Sequence, residues 1–254
     1  MSDIHSNLSA LLMVLLKFRE EKVDLIFNIG DSVGYYQKPR EVLALLRELR
    51  NKKILHQVMG NHDIAISGFI FHDMFSPDYI ASLASALIES TNYNAQESWS
   101  WTISQIDQEL CAVILDETSK TLELEGLRIH LVHGAPAAMR NELKDEVGYY
   151  LTTQHIARYK DDLYKYFKDE NIDIMINGHT HIPHHLKMGN THIINPGSVG
   201  QPRDNDPKTS YCIIEIKDAK LTSVRFFRDT YNVEDRKEAK FSESADDGLF
   251  DILL

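Results

Sequence analysis

Short apolar runs alternate with helical stripes along most of this chain. Leu8, Leu11, Leu12, Leu15 and Phe18 recur at helical spacing behind Asn7, whose side chain suits an N-cap. VDLIFNI (23–29) then reads as a buried strand that stops at Gly30-Asp31. Pro39 opens a second helix carrying Val42, Leu43, Leu46 and Leu49. KKILHQVM (52–59) predicts the next strand, ending in GNHD. Residues 64–110 change character: Ile80, Leu83, Leu87 and the Trp99/Trp101 region are helical in pattern, without a strand signal. They are expected to form a helical insertion, a cap over the site. Further on, TLELEG and LRIHLVHG (121–134) predict a hairpin around Gly126. Thr152 to Asp169 predicts one amphipathic helix with Ile156, Leu163 and Phe167 on its apolar face. IDIMING (172–178) is another buried strand, and HHLKMGNTHIINPG holds two strands around Gly189-Asn190. SYCIIEI and KLTSVRFF, turning near Asp218-Ala219, are expected to close the sheet. The order predicts an α/β protein: a two-sheet β-sandwich flanked by helices, with residues 1–230 as one domain. Residues 231–254 form an acidic tail ending in LFDILL, expected to dock as a terminal helix.

Composition narrows the class. Hydrophobic content of 43% and charged content of 26% are those of a globular protein. No run approaches the roughly 18 apolar residues of a membrane span. The N-terminus lacks a basic-then-apolar leader, and the two cysteines, Cys111 and Cys212, sit among apolar neighbours. Buried thiols in a reducing cytoplasm are therefore expected. The net charge of −11 argues against a duplex nucleic-acid binder and against a repair-type nuclease. It leaves room for a small anionic substrate, because a bound divalent ion can dominate the local field.

Five polar motifs fall at predicted strand ends, where open α/β sheets place ligands. They are Asp3-Ile-His5, Gly30-Asp31, Gly60-Asn61-His62-Asp63, His133-Gly134 and Gly178-His179-Thr180-His181. Singly each is weak, since a lone histidine at a strand end is more often a hydrogen-bonded one than a ligand. Together they offer three carboxylate or amide oxygens and four imidazoles. Such a mixed set suits Mn²⁺, Fe²⁺, Co²⁺, Ni²⁺ or Zn²⁺. Seven ligands exceed one tetrahedral site and suit two ions sharing a bridge.

The motifs DxH, GD, GNHD, HG and GHTH, in this order, resemble those of the calcineurin-like metallophosphoesterase family. INPGSVGQPR (194–203) is similar to its small bacterial and archaeal branch of YfcE-like phosphodiesterases and diadenosine-tetraphosphatase-like proteins. The resemblance covers roughly residues 1–63 and 120–230 and implies the four-layer α/β/β/α form of the sandwich. It also implies two divalent ions, Mn²⁺ first. Asp3, His5 and His181 would hold one; Asn61, His133 and His179 the other; Asp31 would bridge both. His62 would contact the phosphate and protonate the leaving oxygen. Asp63 would either orient His62 or cap the segment that follows. The implied reaction is hydrolysis of a phosphodiester or dinucleoside polyphosphate by direct attack of a metal-bridging hydroxide, without a phosphoenzyme. Its partner would be a small phosphate ester, with no nucleic-acid duplex and no membrane.

Other residues carry less. His130 lies three positions before His133, an odd spacing that puts it on the opposite strand face. His184 and His185 read as exposed strand residues. Arg203 has the forked geometry for a phosphate, and Ser198 reads as a turn residue. Trp99/Trp101 and Tyr149/Tyr150 can stack on a base, although core packing is their commoner use. Two departures from the family stand out. Only Met1 and Ser2 precede Asp3, where the family has an apolar strand: either the numbering begins after that strand or it is missing, and its loss would leave neighbouring strands unpaired, Asp3 poorly anchored and the first metal site weakened. Gly34 stands where many members carry an acid in GDxxD, and Ser6 where glycine is usual. The first departure motivates a second reading: a catalytically weak scaffold of this fold that binds partner proteins.

Overall fold

The computed structural model describes residues 1–71, 93–136 and 151–232. Helix α1 (Leu8–Glu20) starts where Asn7 accepts a hydrogen bond from the Ala10 backbone. Strand β1 (Ile26–Asn28) follows, then α2 (Pro39–Asn51) with proline in its first turn, and β2 (Leu55–Gln57). Next come α3 (Asn61–Ile70), α4 (Tyr93–Gln105) and α5 (Gln108–Cys111). The second half runs β3 (Ser119–Leu124), β4 (Leu127–Val132), α6 (Thr153–Arg158), α7 (Lys160–Asp169), β5 (Ile174–Ile176), β6 (His184–Met188), β7 (Thr191–Asn195), β8 (Thr209–Lys217) and β9 (Lys220–Asp229).

Three apolar clusters separate four layers. Leu11, Val14, Phe18, Val42, Leu43 and Leu46 pack the first helices against Tyr211 and Ile213 of β8. Ile29, Val58, Ile129, Leu131, Ile174, Ile176 and Ile194 fill the space between the sheets, together with Cys212, Ile214 and Ile216. Ile156, Leu163 and Phe167 cover the far face through Met175 and Ile193. Alternate residues of β8 serve different clusters, as the two-residue strand period requires. This is the expected α/β/β/α sandwich.

The second sheet runs β3-β4-β5-β7-β6, its three central strands parallel and its edges antiparallel. The β3–β4 hairpin turns at Glu125-Gly126, both left-handed, as expected of that glycine. β8 and β9 do not close this sheet; they pair with each other as a separate two-stranded ladder. The predicted helix over 152–169 is two helices, because Tyr159 leaves helical geometry at φ −100 and ψ 28. The insertion begins as helix at Asn61, inside the GNHD motif. Ile80, Leu83, Leu87, Tyr149/Tyr150 and the tail from 233 lie outside the described residues.

The expected weakness at Asp3 is corrected. The Met1 nitrogen donates to Phe27 O, Ile29 N to Met1 O and Asp3 N to Gly30 O, so the first three residues run beside β1. On their other side Val199 N donates to Ser2 O and Gly200 N to Asp3 O. Ser198 Oγ also donates to Asp3 O, and the Ser198 carbonyl accepts from Ser210 N of β8. A three-residue stretch thus links β1–β2 toward β8–β9, and Asp3 is fully buried.

His130 faces away from the site, as its spacing predicts. It hydrogen-bonds Thr121 Oγ1 at 2.9 Å and meets the Tyr166 ring edge-on. Burial, helped by Arg128, pushes its pKa from 6.5 to about 4. The unfolded chain therefore takes up this proton before the folded chain does. Stability is full above pH 6.5 and declines as pH falls toward 4, by about 1.4 kcal/mol per unit. His130→Gln removes that slope. Urea melts at about pH 7 and about pH 4.5 should show the variant losing roughly 2 kcal/mol less than wild type. Equal losses overturn the assignment.

Candidate metal centre

Every candidate ligand sits just past the end of a strand or of the Met1–Asp3 stretch. Asp31 follows β1, Asn61 opens α3 after β2, His133 follows β4, and His179 and His181 follow β5. Asp3, His5, Asp31, His179 and His181 have φ between 51 and 64, the left-handed region. Each such non-glycine conformation costs on the order of 1 kcal/mol or more, and such strain gathers at functional sites. The strand-end loops approach closely here: a Cβ on Gly60 would stand 2.1 Å from Asp31 Oδ1, so only glycine fits.

Three overlapping groups of donor atoms each lie within 4.8 Å, Asp3-His5-His181, Asp31-His133-His179 and, sharing His5 and Asp31 with these, His5-Asp31-His62. His5 and His181 bring their Nε2 atoms to 3.2 Å, and His181 Nε2 lies 3.1 Å from Asp3 Oδ1. His133 Nε2 lies 3.1 Å from His179 Nδ1 and 3.2 Å from Asp31 Oδ2. Asp31 joins the groups. Its Oδ1 accepts from His62 N at the start of α3, while Oδ2 lies between His133 and His5, 3.8 Å from the latter. Asp3 Oδ2 accepts from His179 N.

These contacts fit a metal better than they fit one another. Nδ1 of His5, His133 and His181 each meets a backbone carbonyl, those of Val33, Ile29 and Gln201. A carbonyl can only accept, so each Nδ1 carries a proton and each Nε2 points inward, free to offer a lone pair when the ring is neutral. Between neutral His5 and His181 lone pair faces lone pair at hydrogen-bond distance, an arrangement that a shared cation relieves, whereas the Asp31 carboxylate holds a proton on His133 Nε2 in a cation's stead. Asp3 Oδ1 and Asn61 Oδ1 are buried and accept no hydrogen bond among the described residues.

Charge follows the same logic. Burial alone would raise Asp3 and Asp31, but the neighbouring imidazoles, His181 for Asp3 and His133 for Asp31, outweigh it and hold both carboxyls below the ordinary range. Burial, then the charges around it, pushes His5 down, and pushes His179 to about 3. Burial also lowers His133, yet Asp31 and Asp3 pull it up to about 10. Two buried carboxylates draw positive charge into this spot.

The other expected site residues are placed as follows. His62 is buried, its ring 4.7 Å from that of His5. Asp63 does not orient it, a correction to that alternative. Asp63 Oδ1 accepts from Ser32 N and, at 3.4 Å, Val33 N, while Oδ2 accepts from Gly60 N. It caps α3 and braces the Asp31 loop. Arg203 is exposed and donates to Gln201 Oε1. Tyr35 escaped the sequence reading, and Trp99 entered it only as a base-stacking or core residue. Tyr35 stands with its ring 4.7 Å from His5 and 4.6 Å from His62. Trp99, 5% exposed on α4, donates its indole N–H to His62 Nδ1 at 2.8 Å. No sequence signal links Trp99 to His62.

A sandwich carrying these loops on one edge is a phosphoesterase architecture. Residues 1–219 match the model of the calcineurin-like phosphoesterase superfamily domain, and the chain belongs to that family. It is 32% identical over 241 residues to an uncharacterised protein of Methanocaldococcus jannaschii, covering 88% of this chain and 84% of that one. A probable metallophosphoesterase of Mycoplasma pneumoniae is 28% identical over 113 residues, 44% of this chain and 62% of that protein. Among solved structures, a metallophosphoesterase from Sphaerobacter thermophilus superposes with a TM-score of 0.64 at 28% identity, covering 93% and 89% of the two chains. A hypothetical protein from Pyrococcus horikoshii shares the fold at TM-score 0.73 and 18% identity, over 93% and 90%. The family points to metal-dependent phosphoester hydrolysis. Among the described residues no helix is long and apolar enough to cross a membrane.

Proposed function

We propose that this protein hydrolyses a phosphodiester or a dinucleoside polyphosphate with two divalent ions, Mn²⁺ first. The observation that carries the reading is a pair of buried donor groups joined by one carboxylate, Asp31. Asp3, His5 and His181 would hold one ion, and Asn61, His133 and His179 the other. When bound, such ions polarise phosphoryl oxygens and bring the pKa of a water toward about 7. The protein's own part is positioning. Backbone carbonyls fix which nitrogen each ligand histidine presents, Asp63 holds the Asp31 loop against α3, and His62 stands beside the donors to meet the phosphoryl group. Arg203, beside His181 in the chain fold, is a further phosphate contact in this reading.

We place the reaction in the cytoplasm, with a small phosphate ester as partner and no nucleic-acid duplex. The scaffold alternative rested on a loose Asp3, and its buried, doubly braced backbone removes that support. A panel run with added Mn²⁺ tests the reading: an aryl phosphodiester, an aryl phosphomonoester, cyclic nucleotides and diadenosine tetraphosphate. We expect turnover of the diester or the tetraphosphate, abolished by chelation. Protein that holds two ions and turns over none of them overturns it.

A further inference from the structure

We propose that Trp99 is a positioning residue for His62, fixing that ring as a neutral donor with its proton on Nε2. The inference rests on the hydrolytic reading for its use, but its geometry stands apart. The indole N–H can only donate, so at 2.8 Å it requires a lone pair on His62 Nδ1. The remaining proton of the neutral ring then sits on Nε2. That is the opposite tautomer to the one that backbone carbonyls give His5 and His181: their Nδ1 donates outward and Nε2 offers a lone pair, whereas His62 Nδ1 accepts and Nε2 offers a hydrogen. A ring nitrogen of His62 lies within 4.8 Å of donor atoms of His5 and Asp31. An Nε2–H is no metal ligand, which keeps that nitrogen out of the ligand set while the ring stays beside His5. It suits a phosphoryl oxygen, an acceptor.

The space for the indole at Nδ1 has a reason visible at residue 34. A Cβ on Gly34 would lie 2.3 Å from His62 Nδ1, so a side chain there would start against that nitrogen. This chain has glycine at 34, with φ +97, and brings a donor to the same nitrogen from α4. The two features fit together, since the absence of a side chain at 34 leaves Nδ1 open to the indole. The inserted helices thus contribute a contact behind the ring.

The test compares wild type with Trp99→Phe and with a variant in which position 99 carries benzothienylalanine, where sulfur replaces the indole N–H. All are full-length and loaded with Mn²⁺ for kinetics, and with diamagnetic Zn²⁺ for spectroscopy. Nitrogen-15 spectra, with His62 assigned through His62→Gln, read which ring nitrogen holds the proton. We expect Nε2–H alone in wild type and a mixture of tautomers in both variants. On the aryl diester we expect kcat to fall about ten- to a hundredfold, with KM and metal content within about twofold. The sulfur variant keeps the shape of the residue, so it decides the matter where phenylalanine disturbs folding. Unchanged His62 tautomers in the sulfur variant, or metal lost in proportion to activity, overturn the proposal. Inactive wild type with the expected spectra would defeat the hydrolytic reading and leave the tautomer assignment standing.

Discussion

Asp31→Asn should cost roughly three orders of magnitude in kcat/KM on the aryl diester, about 4 kcal/mol of transition-state stabilisation. Bound metal should fall from two ions per chain to one or fewer. The substitution is nearly isosteric, and the amide oxygen can still accept from His62 N as Oδ1 does now. What it removes is the charge on Oδ2, the atom set between His133 and His5. The start of α3 should therefore persist, and the far-ultraviolet spectrum should match wild type. Elemental analysis of protein purified without chelator, together with the diester assay, checks both halves. Two ions retained and activity within tenfold of wild type would falsify the bridging role.

Saturating Mn²⁺ should raise the melting temperature by at least about 10 °C, and chelation should reverse the gain. Metal-free protein keeps Asp3 and Asp31 ionised in full burial and aims imidazole lone pairs at one another. An ion that binds only the folded chain stabilises it by about 4 kcal/mol when present at about a thousand times its dissociation constant. For a chain of this size each kcal/mol is worth roughly 2–4 °C. Asp31→Asn should show half the gain or less. A metal-independent melting temperature in wild type would mean that these donors do not bind ions at working concentrations.

Much of this was readable before any coordinates, for an identifiable reason. The ligand motifs are short and sit at the ends of apolar strands, so Asp31, Asn61, His133 and His179 announced their place locally. The three hairpins were equally legible, because Gly126, Gly189-Asn190 and Asp218-Ala219 mark their turns within a few residues. What failed was non-local. The anchoring of Asp3 depends on carbonyls and amides of residues 27–30 and 198–200, which have no side-chain signature. The same holds for the carbonyls that orient the ligand histidines. Asp63 was read as one of two equal alternatives, and only its three backbone donors choose between them. Trp99 reaches His62 across 37 residues, where periodicity sees only a helix.

The donors come from both layers. Asp3, Asp31 and Asn61 lie on loops of the β1–β2 side, and His133, His179 and His181 on loops of the five-stranded sheet. Between the layers elsewhere lies apolar contact, which tolerates small slippage. Coordination does not, since bond lengths near 2 Å allow only tenths of an ångström. If these donors hold ions as proposed, metal affinity is a gauge of interlayer alignment: a core substitution far from the loops that lets one layer slide will register there first.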